Sequence, residues 1–522
     1  ADSWVGYRAE GSPKTLRFVC ADKKNCAFSS ASAALPIWIT DDDVYDERPS
    51  FILGTVDKFA RLAWEPRARA LFNRGNDGNR EGLPPALIIQ DELHLISGPL
   101  GSLVGLYEAV IDELCSYDVS GQSVRPKIVA STATTRRFRE QVLDLFGREK
   151  TALFPQSINR ANETFFSSVA TEDGVPKRGT AYVGLNPATY QTGQVAASQV
   201  AAAVSQAPTM WTGSMSEIDF YSTAVWFFNS LKELGQTLTL MQSTVMSLLS
   251  SMWRDARIRG NNRHLEPMME LTGRVSAAEV ATSLERLSLP TSEKNSVTTC
   301  LASSIMEVGV DVQRLGLLVI MGQPKMTAQY IQVSGRVGRD RENGPGLVFM
   351  LYNPGRARDR SIFEQFRSYH ERLYAQVEPL SVTPFAPQTL EKGLEGAAIA
   401  HYRMTTPIDI SPTDPDEDKL EAAWAVLKER AETIGAPDAT VNDLAKAFDT
   451  FKSRWKSYRP AKWAYTIAQE NGTADDMETA LFRARAESLK FIHGDCSRQI
   501  PVSMRSVDSQ AYLRPESNAY AF

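Results

Sequence analysis

Cysteine is scarce in this chain. Five thiols, Cys20, Cys26, Cys115, Cys300 and Cys496, are scattered over 522 residues, too few for a disulfide framework, which points to a reducing compartment and a cytoplasmic location. Long apolar runs are lacking too: the longest strongly apolar stretch, Leu315 to Met321, falls far short of the ~20 residues a membrane helix needs. Ala1 to Tyr7 carry no charged segment followed by an apolar one, so no secretory signal is expected. Neither sign of charge dominates. With 57 Lys and Arg against 62 Asp and Glu, the net charge is −5, and a polyanion would have to be met by a local basic surface rather than by the field of the whole protein.

What is present is a folded composition, 43% hydrophobic and 23% charged, in a chain too long for one core, since single cores stop growing near ~250 to 300 residues. At least two domains are expected. Short apolar segments at Phe51 to Leu53, Ala86 to Ile89 and Lys127 to Ala130 alternate with helix-like stretches at Leu103 to Cys115 and Phe138 to Phe146, the pattern of a parallel α/β sheet. Residues 171–215 turn to Gly, Ala, Ser, Thr and Gln and read as a linker or surface insertion. A second α/β pattern follows at Thr223 to Phe228, Leu271 to Val275, Val297 to Leu301, Leu315 to Ile320 and Leu347 to Tyr352. Beyond Pro384 the apolar spacing becomes helical, with Leu390 to Met404, Leu420 to Ile434 and Asp475 to His493 as candidates, and the acidic, Pro-rich run Asp409 to Lys419 reads as a solvated linker.

Several segments carry chemistry. Leu87 to His94 is an apolar strand ending in adjacent carboxylates, where Asp91 can hold Mg²⁺ and Glu92 can orient the water that attacks a γ-phosphate. Taken alone, the pattern is more often structural than functional. Forty residues on, Lys127 to Thr134 is a strand ending in small hydroxyl residues, able to bond a neighbouring carboxylate or histidine, or simply to cap a helix. In Gln329 to Arg339, Arg336 and Arg339 each follow a glycine, and read on one side of a helix their guanidinium forks can reach one phosphate. Upstream, Ser303 to Asp311 places hydroxyls and a Gly309-Val310-Asp311 turn at a strand end, suited to a phosphate and to a ribose hydroxyl. Arginines from Arg356 to Arg372 interleave with Phe363, Phe366, Tyr369 and Tyr374; the aromatics read first as a buried helical stripe and second as a stacking surface.

In order, Gly54 to Lys58, Asp91 to His94, Ser131 to Thr134, Gly309 to Asp311 and Gln332 to Arg339 resemble motifs Ib, II, III, V and VI of superfamily 2 helicases. The resemblance implies two RecA-like lobes that use ATP and Mg²⁺ and engage DNA with a single-stranded region. It implies an α/β fold of two parallel-sheet lobes, the first incomplete at its N-terminus, followed by an all-helical C-terminal region. On that frame, residues 1–50 end an upstream part of the first lobe, 51–170 form that lobe, 171–215 the linker or insertion, 216–384 the second lobe and 385–522 the helical region. By the same resemblance, Asp91 and Glu92 match the Mg²⁺-binding and water-polarising acids, His94 the coupling residue, Gln332 the γ-phosphate or acid-box contact, and Arg336 and Arg339 the arginine fingers. Gly309 and Asp311 fall on the nucleotide side. Thr55, Lys58, Ser230 and Ser303 match backbone-phosphate contacts of the nucleic-acid track, and Ser131 and Thr132, on the same track, the relay between hydrolysis and strand binding. Cys20 to Phe28, Asp41 to Arg48 and Asp91 to Gly101 further resemble the DrmA group, the helicase subunits of the DISARM anti-phage system, which implies a DrmB-like partner subunit. A related repair helicase is the alternative.

One departure is large. No Gly-Lys-Ser or Gly-Lys-Thr loop occurs in the chain, and Gly6 through Gly11 to Lys14-Thr15 has the wrong spacing to imitate one. The expectation is therefore the C-terminal part of a longer motor; the competing expectation is a catalytically silent nucleic-acid-binding scaffold. Cys20 and Cys26, spaced Cys-x5-Cys, are either ordinary thiols or half of a Zn²⁺ site.

Overall fold

The computed structural model describes residues 7–10, 15–22, 24–29, 34–132, 137–156, 163–177, 179–188, 193–254, 262–303, 311–378, 381–465, 480–484 and 498–507. The chain divides into two units, one made of Ala1–Thr132, Arg137–Thr151 and Leu380–Phe522, the other of Ala133–Arg136 and Ala152–Pro379.

In the first unit, strand β1 (Leu87–Gln90) pairs in parallel with β2 (Lys127–Ala130), with Ile89 opposite Val129. Between them runs helix α1 (Gly98–Cys115), whose Leu103, Leu106, Tyr107, Val110 and Leu114 are buried, as in a helix enclosed by core. Helix α2 (Phe138–Phe146) ends on Gly147 in the left-handed conformation. One face of the β1–β2 pair packs on this core through Ile88 and Ile128, while Leu87, Ile89 and Val129 remain 51%, 61% and 46% exposed. Phe51 to Leu53, expected as a strand, is exposed coil flanked by Pro49 and Gly54.

The second unit is built on a six-stranded, all-parallel sheet of β3 (Ala181–Leu185), β4 (Ala224–Phe228), β5 (Met268–Leu271), β6 (Thr299–Ala302), β7 (Leu317–Met321) and β8 (Leu347–Leu351), in the order β5-β6-β4-β7-β8-β3. A parallel sheet covered on both faces selects continuous apolar strands, and Ala-Val-Trp-Phe-Phe in β4 is buried at every position. Trp226 and Phe228 face one core cluster with residues of helices α3 (Gly193–Gln206) and α4 (Leu231–Leu240); Val225 and Phe227 face the other, with Tyr330 and Val333 of α5 (Thr327–Ser334). The linker reading of residues 171–215 is corrected: β3 is an edge strand of the sheet, and α3 buries Ala201 and Ala202 in the core cluster that includes Trp226 and Phe228 of β4. Small residues that suggested a loop are what close helix packing admits.

The C-terminal residues belong to the first unit. Helices α6 (Pro387–Thr405), α7 (Glu417–Thr433) and α8 (Asp438–Tyr458) pack with α1 around a core that includes Tyr107, Leu394, Tyr402, Phe451 and Trp455. Gly393 and Gly396 let α6 approach α1: a Cβ there would stand 2.3 Å from Leu103 Cδ1 and 2.2 Å from Tyr107 Oη. The expected solvated linker ends early, since Asp416 accepts from the Asp418 and Lys419 amides and starts α7. Nor is this region all-helical. Strands β9 (Lys462–Tyr465), β10 (Ala480–Ala484) and β11 (Arg498–Ile500) form a parallel sheet. The helix expected over Asp475 to His493 is replaced by β10 at 480–484; its remaining positions lie outside the described residues.

A charged cluster joins the C-terminal helices to α1. Asp112 accepts from Arg125, from Arg148 at 2.6 Å and from Arg430 of α7 at 3.1 Å. Burial would raise the Asp112 carboxyl, but these guanidinium groups hold it below its ordinary value. Glu108, one turn earlier and buried, is pushed up to about 7 by desolvation. Among the described residues no helix is long and apolar enough to cross a membrane.

Candidate functional site

In the first unit, the parallel register brings the ends of β1 and β2 together. Ser131 Oγ donates to Asp91 Oδ1, which also accepts from the Glu92 amide at 2.9 Å. The Leu93 amide donates to the Ser131 carbonyl at 2.8 Å. Glu92 stands at φ +52, a left-handed conformation uncommon for a non-glycine residue, and turns the chain away from the strand. Its Oε2 lies 3.5 Å from Nδ1 of buried His94, and Thr132 Oγ1 is 3.4 Å from the same nitrogen. Thus Asp91, Glu92, His94, Ser131 and Thr132 form one cross-strand cluster. Sequence reading missed Gln141 of α2: its buried amide donates to the Leu93 and Ile96 carbonyls at 3.2 and 3.1 Å, holding the loop after the acids.

Thr55 is exposed just before the helical turn Val56–Ala63. Lys58 Nζ pairs with Asp41 at 2.7 Å, so it can meet a phosphate only by exchanging that partner. Cys20 and Cys26 are free, partly exposed thiols, and among the described residues no group of three or more His, Cys, Asp and Glu could hold a metal. Two thiolates do not close a tetrahedral zinc site, so the described residues do not fit Zn²⁺. Residues 1–6 and 11–14, with much of the false phosphate loop, and Ala133, Thr134 and Gly309 lie outside the described residues.

In the second unit, α5 ends at Ser334, and Arg336 and Arg339 stand beyond it rather than on a helical face. The correction has a backbone cause: Gly335 and Arg336 close the last turn by bonding Ile331 and Val333 carbonyls, and Gly338 then takes φ +75. A Cβ on Gly338 would stand 2.4 Å from Gly346 Cα, so the arginine turn packs backbone to backbone against the residue that precedes β8. Arg339 pairs with Asp311 at 2.5 Å, uniting two of the expected nucleotide residues. Gln332, half-buried, is on α5.

The carboxyl ends of β4, β5 and β6 open on a cleft of about 370 Å³ lined by Asn229, Ser230, Gly273, Arg274, Ser303 and Gln329, among others. Ser230 caps α4, accepting from the Glu233 amide at 3.3 Å, and Ser303 is buried at the end of β6. Crevices outside the carboxyl ends of parallel strands are where such sheets bind ligands. Arg274 was not singled out; a Thr272-Gly273-Arg274 turn at a strand end was the available signal. The aromatic stripe after Leu351 is mainly core: Tyr369 is buried and Phe363 and Phe366 pack on it, whereas Tyr374 is 69% exposed.

Residues 228–341 match the model of the helicase conserved C-terminal domain. The DISARM protein DrmA of Bacillus paralicheniformis is 32% identical over 471 residues, 85% of this chain and 41% of that protein. Among solved structures, the DUF1998 helicase MrfA bound to DNA is 17% identical, covering 74% of this chain and 44% of its own, with a TM-score of 0.46. Mycobacterium smegmatis helicase Lhr bound to ssDNA and AMP-PNP is 14% identical, covering 74% and 40%, with a TM-score of 0.45. The chain therefore spans less than half the length of each of these relatives. The sequence resemblance to helicases holds: the sheet unit carries a helicase conserved C-terminal domain, and the chain is a homologue of DISARM DrmA.

Proposed function

We propose that this chain is part of an ATP-dependent superfamily 2 DNA helicase or translocase acting in DISARM-type phage defence, with a DrmB-like partner subunit. The observation that carries the reading is the cross-strand cluster, in which Asp91 and Glu92 are tied to Ser131, Thr132 and His94 at the ends of two parallel strands. Mg²⁺ is commonly held by one or two carboxylates together with waters and substrate phosphates, and the partly exposed acids at this strand end fit that donor set. Bound ATP would supply the γ-phosphoryl group whose transfer to water drives movement.

The protein's own residues divide the work. Asp91 would hold the cation, with its carboxylate oriented by Ser131 and the Glu92 amide. Glu92 positions the attacking water, and His94 and Thr132 link that carboxylate to β2. Within the second unit, Arg336 and Arg339 would supply guanidinium groups suited to the charge of a transferring phosphoryl group, a contribution of ~10³ to 10⁵ in rate where such fingers act; Arg339 would do so after releasing Asp311. Ser230, Ser303 and Arg274 track strand phosphates at the cleft, with Thr55 and Lys58 serving the first unit.

The test is strand-stimulated ATP hydrolysis by the longest natural gene product containing this chain, beside its Glu92→Gln variant. Turnover should vanish in the variant while ATP-dependent strand binding persists. Equal turnover in both would sink the assignment, and strand binding without turnover in the unmodified protein would leave the scaffold reading.

A further inference from the structure

Helix α5, which ends at the arginine turn, has eight residues, and no side chain of its own N-cap residue, Met326, bonds its first turn. That turn is instead met from a distant segment. The Glu378 carboxylate accepts from the Thr327 amide at 3.0 and 2.8 Å and from Thr327 Oγ1 at 3.1 Å. Tyr369 Oη lies 3.0 Å from the same hydroxyl and accepts from Gln323 at 3.2 Å. One turn along, His370 Nδ1 faces the Phe366 carbonyl at 2.7 Å and must donate to it, so Nε2 accepts from Tyr330 Oη at 2.8 Å. At the far end Tyr182 Oη donates to Ser334 Oγ at 3.3 Å.

These bonds fix a rigid rod of ~12 Å, at 1.5 Å per residue, whose far end carries Arg336 and Arg339. A carboxylate at the N-terminus satisfies orphan amides and favours the positive end of the helix dipole, so Glu378 is the charged member of the clamp. Its place in the chain adds a second point: the backbone passes from the second unit to the C-terminal region of the first between Pro379 and Leu380.

We infer that Glu378 is a positioning residue for hydrolysis: by holding the first turn of α5 it sets where the arginine turn stands, from the end of the segment that leads into the C-terminal region. Glu378 touches no reacting atom. The assignment rests on the helicase reading above. A misplacement of ~1 Å at a reacting centre can cost ~10²-fold in rate, which is the scale of effect available to such a residue.

The experiment compares Glu378→Ala and Glu378→Gln with the unmodified protein in the longest natural gene product, reading kcat and KM for ATP, strand affinity and melting temperature. Expected is a fall in kcat of about tenfold to a hundredfold for Glu378→Ala, with KM and strand affinity unchanged, and partial rescue by Glu378→Gln, which keeps one oxygen acceptor. If Glu378→Ala fails to fold, the Gln variant alone decides, by a kcat loss at unchanged melting temperature. Unaltered kcat in a folded variant overturns the inference, as does a loss that only follows melting temperature. No turnover in the unmodified protein removes the helicase reading and this inference together, whereas turnover there with unaffected variants removes this inference alone.

Discussion

Asp112→Ala tests how the C-terminal helices are joined to α1. The side chain of Arg430 is 4% exposed and that of Arg148 17%, and both bond the Asp112 carboxylate, as does Arg125. Removing one partner of a buried ion pair leaves charge without compensation and costs ~3 to 5 kcal/mol. Three guanidinium groups around one acid place this site toward the upper end. At ~2 to 4 °C per kcal/mol for a large domain, the melting midpoint should fall by the order of 10 °C. Urea titration followed by hydrogen exchange along α1 and α7 reads the first unit separately from the second. Removing the most buried partner as well, in Asp112→Ala with Arg430→Met, should recover part of the loss, because the guanidinium groups left without the acid, Arg148 and Arg125, are the more exposed ones. A single-variant loss below ~1 kcal/mol, the value of an exposed pair, would refute the view of Asp112 as the buried tie.

Glu108→Gln should change stability in a pH-dependent way. Because the folded carboxyl is raised from 4.5 to about 7, its contribution is intact below the unfolded value, declines as pH rises between 4.5 and about 7, and levels off above. The variant should therefore gain ~1 to 3 kcal/mol relative to the unmodified protein at pH 8 and nothing at pH 4; equal effects at both pH values in urea unfolding would contradict this. Arg274→Ala should weaken single-strand binding evenly across sequences and reduce the salt slope by about 0.7, the value for one phosphate on a single strand. An unchanged slope in a salt titration would take Arg274 off the strand path.

Local apolar pattern revealed most of the second sheet: β4 and β8 lie within a residue of their expected bounds, and β2 and α2 match theirs. The strands of the second sheet are read easily because a parallel strand buried on both faces is a continuous apolar run, as β4 is. What escaped depends on partners far along the chain. Composition made residues 171–215 look like a linker, yet β3 pairs with a strand more than 150 residues away. Helix α8 was legible in the spacing of Leu444, Phe448, Phe451 and Trp455 but was passed over, and β9 to β11 are short strands with little periodicity. At the site, adjacency of Asp91 and Ser131 could be anticipated from two strands that end in complementary groups. Gln141 and Glu378 could not: each acts on backbone groups of a segment that no spacing connects to it.

The bare face of the β1–β2 pair has a practical side. Two parallel strands with Leu87, Ile89 and Val129 open to water offer an apolar surface of the kind through which proteins recruit neighbouring molecules. A preparation of these 522 residues by themselves should grow in apparent mass with concentration, and charged replacements at Ile89 and Val129 should keep it monodisperse. The acid cluster sits at the end of the same two strands, so material lost to self-association would also be material with its chemistry obstructed, and solubility should be secured before inactivity is read as a property of the motor.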